Sequence, residues 1–266
     1  MHPLASPPAA RGPLSGVGVL VTRPARQAAG LVAQLAATGA NAVVFPAIAI
    51  LPPLDSAPLA RAHDALSQYD AAIFVSANAA EYGVPARGRW PAQLPVYATG
   101  PGTASALTAS GLTDVRIPDT TYDSDGLLAM PALTDVAGRR IAIFRGEGGR
   151  DRLGNALRAR GAHVDYVECY RRMRPESGAG GLVEALRAHR VHALTLTSSE
   201  GLDNLCALVG DDSRALLTGI PAFVPHPRIA EHARALGFQA IVTGTGDAGL
   251  VTGLLEWFAQ DPPAKA

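Results

Sequence analysis

The sequence predicts an α/β protein built from two similar parallel-sheet units, each an α/β/α layer structure. Two observations carry this. Short apolar runs rich in Val and Ile alternate along the chain with segments of helical spacing, the pattern of parallel strands covered on both faces. The pattern also occurs twice: VLVTRPARQAAGLVAQLAATGANAVVFPAI aligns without a gap on IAIFRGEGGRDRLGNALRARGAHVDYVECY. A repeat of this length marks two copies of one structural unit.

Taken in order, residues 1–15 are rich in Pro and Ala, lack periodicity and read as a disordered tail, as does DPPAKA at the other end. GVGVLVTRP reads as the first strand and its turn. ARQAAGLVAQLAATGA follows as a helix, with Leu31, Leu35 and Thr38 on one face and Gly39 as its stop. NAVVFPAIAI is the next strand. The repeat then sets Arg23 on Arg145, Gly39 on Gly161 and Pro53 on Pro175, a shift of 122 residues. The same shift carries YDAAIFVSANAAEYG onto VHALTLTSSEGLDNL, with Ser76 on Ser198. Further on, PVYATGPGTASALTASGL matches PAFVPHPRIAEHARALGF at a shift of 126, with Pro101 on Pro227 and Gly111 on Gly237; a small loop insertion accounts for the change.

Composition narrows the function. The 266 residues carry 23 basic and 23 acidic side chains and are 48% hydrophobic, which excludes a disordered chain. Net charge is zero, against the basic face that nucleic-acid binding wants. Cys169 and Cys206 are too few for a disulfide framework, and the seven histidines show no ligand spacing, so no metal is expected. No apolar run spans a membrane and the start lacks a secretory pattern, so the expectation is a soluble, cytoplasmic protein.

Ligand-facing loops of parallel sheets lie at the carboxyl ends of the strands, and two units of this kind are expected to meet at a ligand-binding cleft. The loops in question are TRP at 22–24, SAN at 76–78, TGPGT at 99–103, RGEGGR at 145–150, TSSEG at 197–201, PHPR at 225–228 and GTGDAG at 244–249. Hydroxyls, glycines and helix starts dominate them, a set of donors suited to anionic groups. GTGDAG matches a dinucleotide fingerprint literally, but the chain stops before the acidic second strand that the fingerprint needs, and a helix start with Asp247 in its first turn is the simpler reading. RGEGGR lacks the Lys-Ser/Thr of a P-loop, yet its backbone N–H groups and Arg145 or Arg150 suit a carboxylate, with a tight strand-to-helix turn as the alternative. There is no G-x-S-x-G elbow, so Ser76, Ser198 and Ser199 read as hydrogen-bond donors or helix caps rather than nucleophiles. Tyr170, in VDYVECYRRMRP, falls where Ile48 falls in the first repeat; both segments end in proline and suit connectors between the units. A phenol there stands beside a cleft or is an ordinary strand aromatic.

These pieces together resemble the uroporphyrinogen-III synthase family. VLVTRP, the Ser76-x-Asn78 segment, ATGPGTASAL, TSSEGLDNL and the Tyr170 connector carry the resemblance, which runs from about residue 16 to 260. It implies two α/β domains joined by a two-stranded connector. Residues 16–45 plus 176–262 then form one domain, 52–167 the other, and 46–51 with 168–175 the connectors. It implies a cofactor-free cyclisation: hydroxymethylbilane loses the hydroxyl of ring A, and the tetrapyrrole closes to uroporphyrinogen III with inversion of ring D through a spiro-pyrrolenine. By position Tyr170 matches the tyrosine proposed to help the hydroxyl depart. The substrate's eight carboxylates are expected at Arg23, Ser76, Asn78, Thr99, Gly100, Thr103, Arg145, Gly146, Thr197, Ser198, Ser199 and Arg228. The partner is this small molecule, with no nucleic acid or membrane, and the chain acts as a monomer. One loop departs from the family pattern: VPHPRIA stands where the family reads like I-G-P-T-T-A, with His226 in place of the glycine. The competing expectation is a non-catalytic two-domain module that binds an anionic small molecule.

Overall fold

The computed structural model describes residues 12–85 and 90–260. In chain order it contains β1 (Gly18–Val21), α1 (Ala25–Ala37), β2 (Asn41–Val44), β3 (Ala49–Leu51), α2 (Ala57–Asp64), β4 (Ala71–Phe74), α3 (Ala77–Gly83), β5 (Val96–Ala98), α4 (Pro101–Ala109), β6 (Val115–Arg116), α5 (Ser124–Ala129) and β7 (Arg140–Gly146). There follow α6 (Arg152–Ala159), β8 (His163–Met173), α7 (Gly180–Arg187), β9 (Ala193–Thr195), α8 (Ser199–Val209), α9 (Asp211–Thr218), β10 (Ala222–Val224), α10 (Pro227–Ala235), β11 (Ala240–Val242) and α11 (Gly246–Gln260). The chain divides into two compact units. Unit 1 takes the residues up to Ala49 and from Arg174 onward; unit 2 takes Ile50–Met173.

Unit 1 holds a five-stranded sheet in the order β11-β10-β9-β1-β2. Unit 2 holds six strands in the order β3-β8-β7-β4-β5-β6. The repeat explains both orders at once. In unit 1, Val19 pairs in parallel with Ala42 on one side and Ala193 on the other. In unit 2, Ile141 pairs in parallel with Val164 and with Ala71. Each of these residues lies 122 positions from its counterpart, so the two sheets share a register as well as an order. The second shift holds too: Ala222 beside Leu194 corresponds to Val96 beside Ala72, with 126 residues between the outer pair. The stretch between those strands is four residues longer in unit 1, where it carries α9.

Read from β2, unit 1 has the doubly wound order 2-1-3-4-5, whose switch point lies between β1 and β9. The corresponding switch point of unit 2 lies between β7 and β4. Each sheet is buried on both faces. In unit 1, Leu20, Leu194 and Val224 face one apolar cluster while Val19, Val21 and Phe223 face another. In unit 2, Phe74 and Phe144 stack at 4.5 Å on one side and Ile73, Ile141 and Ile143 pack on the other. Alternate residues of a strand point to opposite faces, so near-continuous apolar runs are what a doubly covered sheet requires.

One sequence expectation is corrected. The tail was expected to run to Ser15, but Leu14 is 1% exposed inside the unit 1 core and its N–H donates to the Thr38 carbonyl at 2.9 Å. A single buried leucine among prolines carries no periodicity to reveal it. The rest of that tail, and 261–266, lie outside the described residues. The sequence expects 46–51 and 168–175 as a two-stranded connector: residues 49–51 are β3, residues 168–173 end β8, and the two strands are neighbours in one sheet. The chain passes between the units at Ala49–Ile50 and Met173–Arg174. Among the described residues no helix is long and apolar enough to cross a membrane.

Candidate functional site

All seven loops singled out from the sequence follow the carboxyl ends of strands. In unit 2, three of the expected residues and the tyrosine meet at one place. β4 ends at Phe74, and Ser76 follows with extended backbone as the N-cap of α3, its Oγ accepting the Ala79 N–H at 3.1 Å. The same Oγ lies 3.1 Å from the Tyr170 hydroxyl. Tyr170 sits on β8, 3% exposed, its ring 6.3 Å from that of Tyr82. A bulge at Arg145–Gly146 brings Gly146 opposite Tyr170. A Cβ on Gly146 would stand 2.7 Å from the phenol ring, so only glycine leaves the ring its place.

A cavity of about 500 Å³ opens here, lined by Ser76, Arg145, Gly146, Arg150, Tyr166 and Tyr170 among others. A slightly larger one, about 530 Å³, runs along Trp90, Pro95, Val96 and Leu112. It lies at the start of β5, away from the carboxyl ends where parallel sheets hold their ligands. The smaller cavity is therefore the candidate site. Tyr166, Tyr170 and Arg172 all line it, four and two residues apart on β8. The sequence singles out only Tyr170; alternation along the strand points from it to Arg172, whereas Tyr166 packs against the opposite apolar cluster on the far side of a bulge that nothing in the sequence marks.

Arg145, expected to bind substrate, is 7% exposed and turned to its own loop. It donates to the Gly149 carbonyl and to Asp151 Oδ1, both at 2.7 Å, and lies 4.2 Å over the Tyr166 ring. Hydrogen bonding from Arg145 holds the Asp151 carboxyl below the ordinary carboxylate range. Behind Tyr170, the Cys169 thiol donates to the Arg145 carbonyl at 3.2 Å, and burial pushes its pKa up to about 12, so it is an inert filler.

The remaining expected residues stand elsewhere. Asn78 is buried in α3. Thr99, Gly100 and Thr103 form the turn from β5 into α4, where the two threonine hydroxyls meet at 3.3 Å and Tyr122 covers Gly100. In unit 1, Ser198 caps α8 as Ser76 caps α3, accepting the Gly201 N–H at 3.0 Å. Thr197 is exposed before it and Ser199 opens the helix. Arg23 forms an ion pair with Asp247 of GTGDAG, so that motif is closed by the protein's own cation. A Cβ on Gly249 would stand 2.1 Å from the Gly244 carbonyl oxygen, which accounts for the glycine spacing without any nucleotide. His226 is the N-cap of α10: its Nδ1 accepts the Arg228 N–H at 3.1 Å, leaving the Arg228 side chain exposed.

Comparison with known proteins bears on these geometries. The model of the family described as uroporphyrinogen-III synthase HemD matches residues 29–245. The uroporphyrinogen-III synthase of Salmonella typhimurium is 36% identical over 233 residues, covering 85% of this chain and 94% of that protein. The enzyme of the same name from Escherichia coli is 34% identical over 232 residues, with the same two shares covered. Among solved structures, uroporphyrinogen-III synthetase from Helicobacter pylori superposes with a TM-score of 0.59 over 91% of this chain and 99% of that one, at 13% identity, a likeness of fold.

Proposed function

The chain belongs to the uroporphyrinogen-III synthase family, cyclising lyases of heme biosynthesis, and from that premise we propose that it converts linear hydroxymethylbilane to uroporphyrinogen III with inversion of ring D and loss of water. The observation that carries the residue-level reading is the Tyr170–Ser76 hydroxyl pair on the wall of the unit 2 cavity. Hydroxide is a poor leaving group, and its departure from the ring A hydroxymethyl needs a proton or a strong hydrogen bond. A phenol keeps its proton at neutral pH and can donate without a metal. In this proposal Tyr170 protonates the departing oxygen as the pyrrole nitrogen's electron pair breaks the C–O bond and water leaves; the azafulvenium N–H then gives its proton to the Tyr170 phenolate, which yields the neutral azafulvene and restores the phenol.

Ser76 orients the phenol. Its oxygen accepts the Ala79 N–H while its own hydroxyl donates to the Tyr170 oxygen, so capping the helix and holding the tyrosine are compatible and the phenol proton is left for the substrate. The substrate's carboxylates fall to the helix starts and hydroxyls at the carboxyl ends of the strands: Thr99, Gly100 and Thr103 in unit 2, and Thr197, Ser198, Ser199 and Arg228 in unit 1. Ring inversion then follows from how these contacts fold the flexible chain, a matter of positioning more than of acid strength. We also infer a monomer in the cytoplasm. For the compartment the support is that Cys169 and Cys206 are both free thiols, as suits a reducing environment.

The test is incubation of the pure protein with hydroxymethylbilane, oxidation of the product and separation of the porphyrin isomers. Isomer III is expected. Isomer I alone, at the rate of the protein-free control, would leave a binder of anionic tetrapyrroles and sink the proposal.

A further inference from the structure

We propose that Arg150, not Arg145, receives a substrate carboxylate beside Tyr170, and that Arg145 is the positioning residue that sets the loop carrying it. This rests on the reading above and takes it further by dividing the work of two arginines five residues apart. Arg145 has little left to offer a ligand. One terminal nitrogen donates to Gly149 O at 2.7 Å, and the other donates to Asp151 Oδ1 at 2.7 Å and reaches Arg150 O at 3.5 Å. Glu168 stands 3.7 Å away as a further counter-charge. Its Nε is buried without a partner, against Gly149, where a Cβ would come within 3.1 Å of it. The guanidinium is thus a clamp that draws the loop 147–151 into a tight turn over the Tyr166 ring.

The clamp has a direction. It holds the carbonyls of Gly149 and Arg150 inward, and Glu147 N–H donates to the Tyr170 carbonyl at 2.8 Å, so the loop is tied to the strand that bears the phenol. The Arg150 side chain is exposed and lines the same cavity as Ser76 and Tyr170. Among the described residues it has no hydrogen-bonding or acidic partner. The other charged groups on that wall are engaged. Arg172 has a partner of its own. The Glu147 carboxylate accepts the Leu54 N–H at 3.1 Å. Arg150 is therefore the cation left for an incoming anion. Its planar fork matches a carboxylate in two parallel hydrogen bonds, a match that a lysine at the same place does not reproduce.

Steady-state kinetics on hydroxymethylbilane at several salt concentrations, with isomer analysis, test the proposal on the wild type, Arg150→Gln, Arg150→Lys and Arg145→Lys. For Arg150→Gln we expect KM to rise about tenfold, equivalent to about 1.4 kcal/mol, with a smaller change in kcat and with isomer III retained. Its KM should also depend less on salt than that of the wild type. Arg150→Lys should recover part of the loss. Arg145→Lys should lower kcat as well, since the loop tied to Tyr170 shifts. A wild-type KM and salt dependence in Arg150→Gln would overturn the proposal, as would a pure KM effect in Arg145→Lys. If the wild type itself yields only isomer I, the proposed function fails instead, so the two failures are told apart.

Discussion

The Tyr170 hydroxyl lies 3.1 Å from Ser76 Oγ, across 94 residues of chain, and that oxygen is at the same time the N-cap of α3. The equivalent cap in unit 1, Ser198, has no such neighbour among the described residues, because the residue equivalent to Tyr170 there is Ile48. The Ile48 side chain approaches the start of α8, 3.8 Å from where a Cβ on Gly201 would stand. One scaffold therefore occurs twice with the same strand order and the same capping serine, and only one copy places a phenol against it. That asymmetry puts the acid of the proposed mechanism in unit 2.

Replacing the phenol tests this directly. Tyr170→Phe removes one hydroxyl and leaves the ring that packs against Gly146 and Tyr82. General acid assistance is worth about 10²–10⁴ in rate, so turnover should fall within that range while circular dichroism and melting stay near wild type. The residual product should remain isomer III, because inversion depends on how the chain is folded and not on the proton. A folded Phe variant with wild-type turnover would make Tyr170 an ordinary strand residue.

The serine caps give a matched pair. Loss of a serine N-cap costs about 1 kcal/mol, so Ser76→Ala and Ser198→Ala should each lower stability by that order, read by urea titration. Turnover should separate them. Ser76→Ala frees the Tyr170 hydroxyl and should lower kcat; Ser198→Ala, which besides its cap loses only the proposed substrate contact, should act on KM. Equal kcat in the two variants would mean that the Ser76–Tyr170 contact has no part in the chemistry.

Much of the fold could be read from the chain, for a physical reason: both sheets are built from local strand-turn-helix units, and the repeat preserves register to the residue. Val19 beside Ala193 follows from Ile141 beside Ala71 once the shift is known. What could not be read was set by partners far away in sequence. Arg23 and Asp247 are 224 residues apart, and nothing near either shows that the arginine is already paired. At RGEGGR the sequence leaves open a carboxylate ligand or a tight strand-to-helix turn, and only the bonds of Arg145 to Gly149 and Asp151 decide for the turn. His226 departs from the family pattern in sequence, yet its imidazole does the capping that a serine does elsewhere.

Gly146 offers a steric test of the same site. Alanine there brings a Cβ to 2.7 Å from the Tyr170 ring, so the ring or the strand must move. Overpacking of this kind costs about 1–3 kcal/mol. Gly146→Ala should therefore lower both stability and kcat, whereas alanine at Gly148, where the φ of 67° is itself unfavourable but nothing lies within 4 Å, should lower stability and leave Tyr170 in place. Fluorescence or nuclear magnetic resonance of the Tyr170 ring would check the displacement; an unmoved ring in Gly146→Ala would refute the packing argument.

The last prediction concerns acid stability in unit 1. His192 Nδ1 accepts the N–H of Gly18, the first residue of β1, at 2.8 Å. It can do so only while that nitrogen is unprotonated. Burial, and secondarily the charge of His189, hold the His192 pKa below the ordinary histidine value. In the unfolded chain the group titrates near ~6.5, so between the two pKa values the unfolded state binds more protons and folding loses stability as pH falls. The contribution is complete above about pH 6.5, declines on acidification through the window between the unfolded and folded values, and levels off below the folded one. His192→Asn supplies a neutral acceptor that does not titrate there. Urea midpoints of the wild type should fall between about pH 7 and pH 5 more steeply than those of His192→Asn, with the gap narrowing as acid is added. His192→Leu leaves the Gly18 N–H without an acceptor and should cost about 1–3 kcal/mol at pH 7 with the same flattened pH dependence. Parallel pH profiles for the wild type and the Asn variant would show that the His192–Gly18 bond does not govern acid stability.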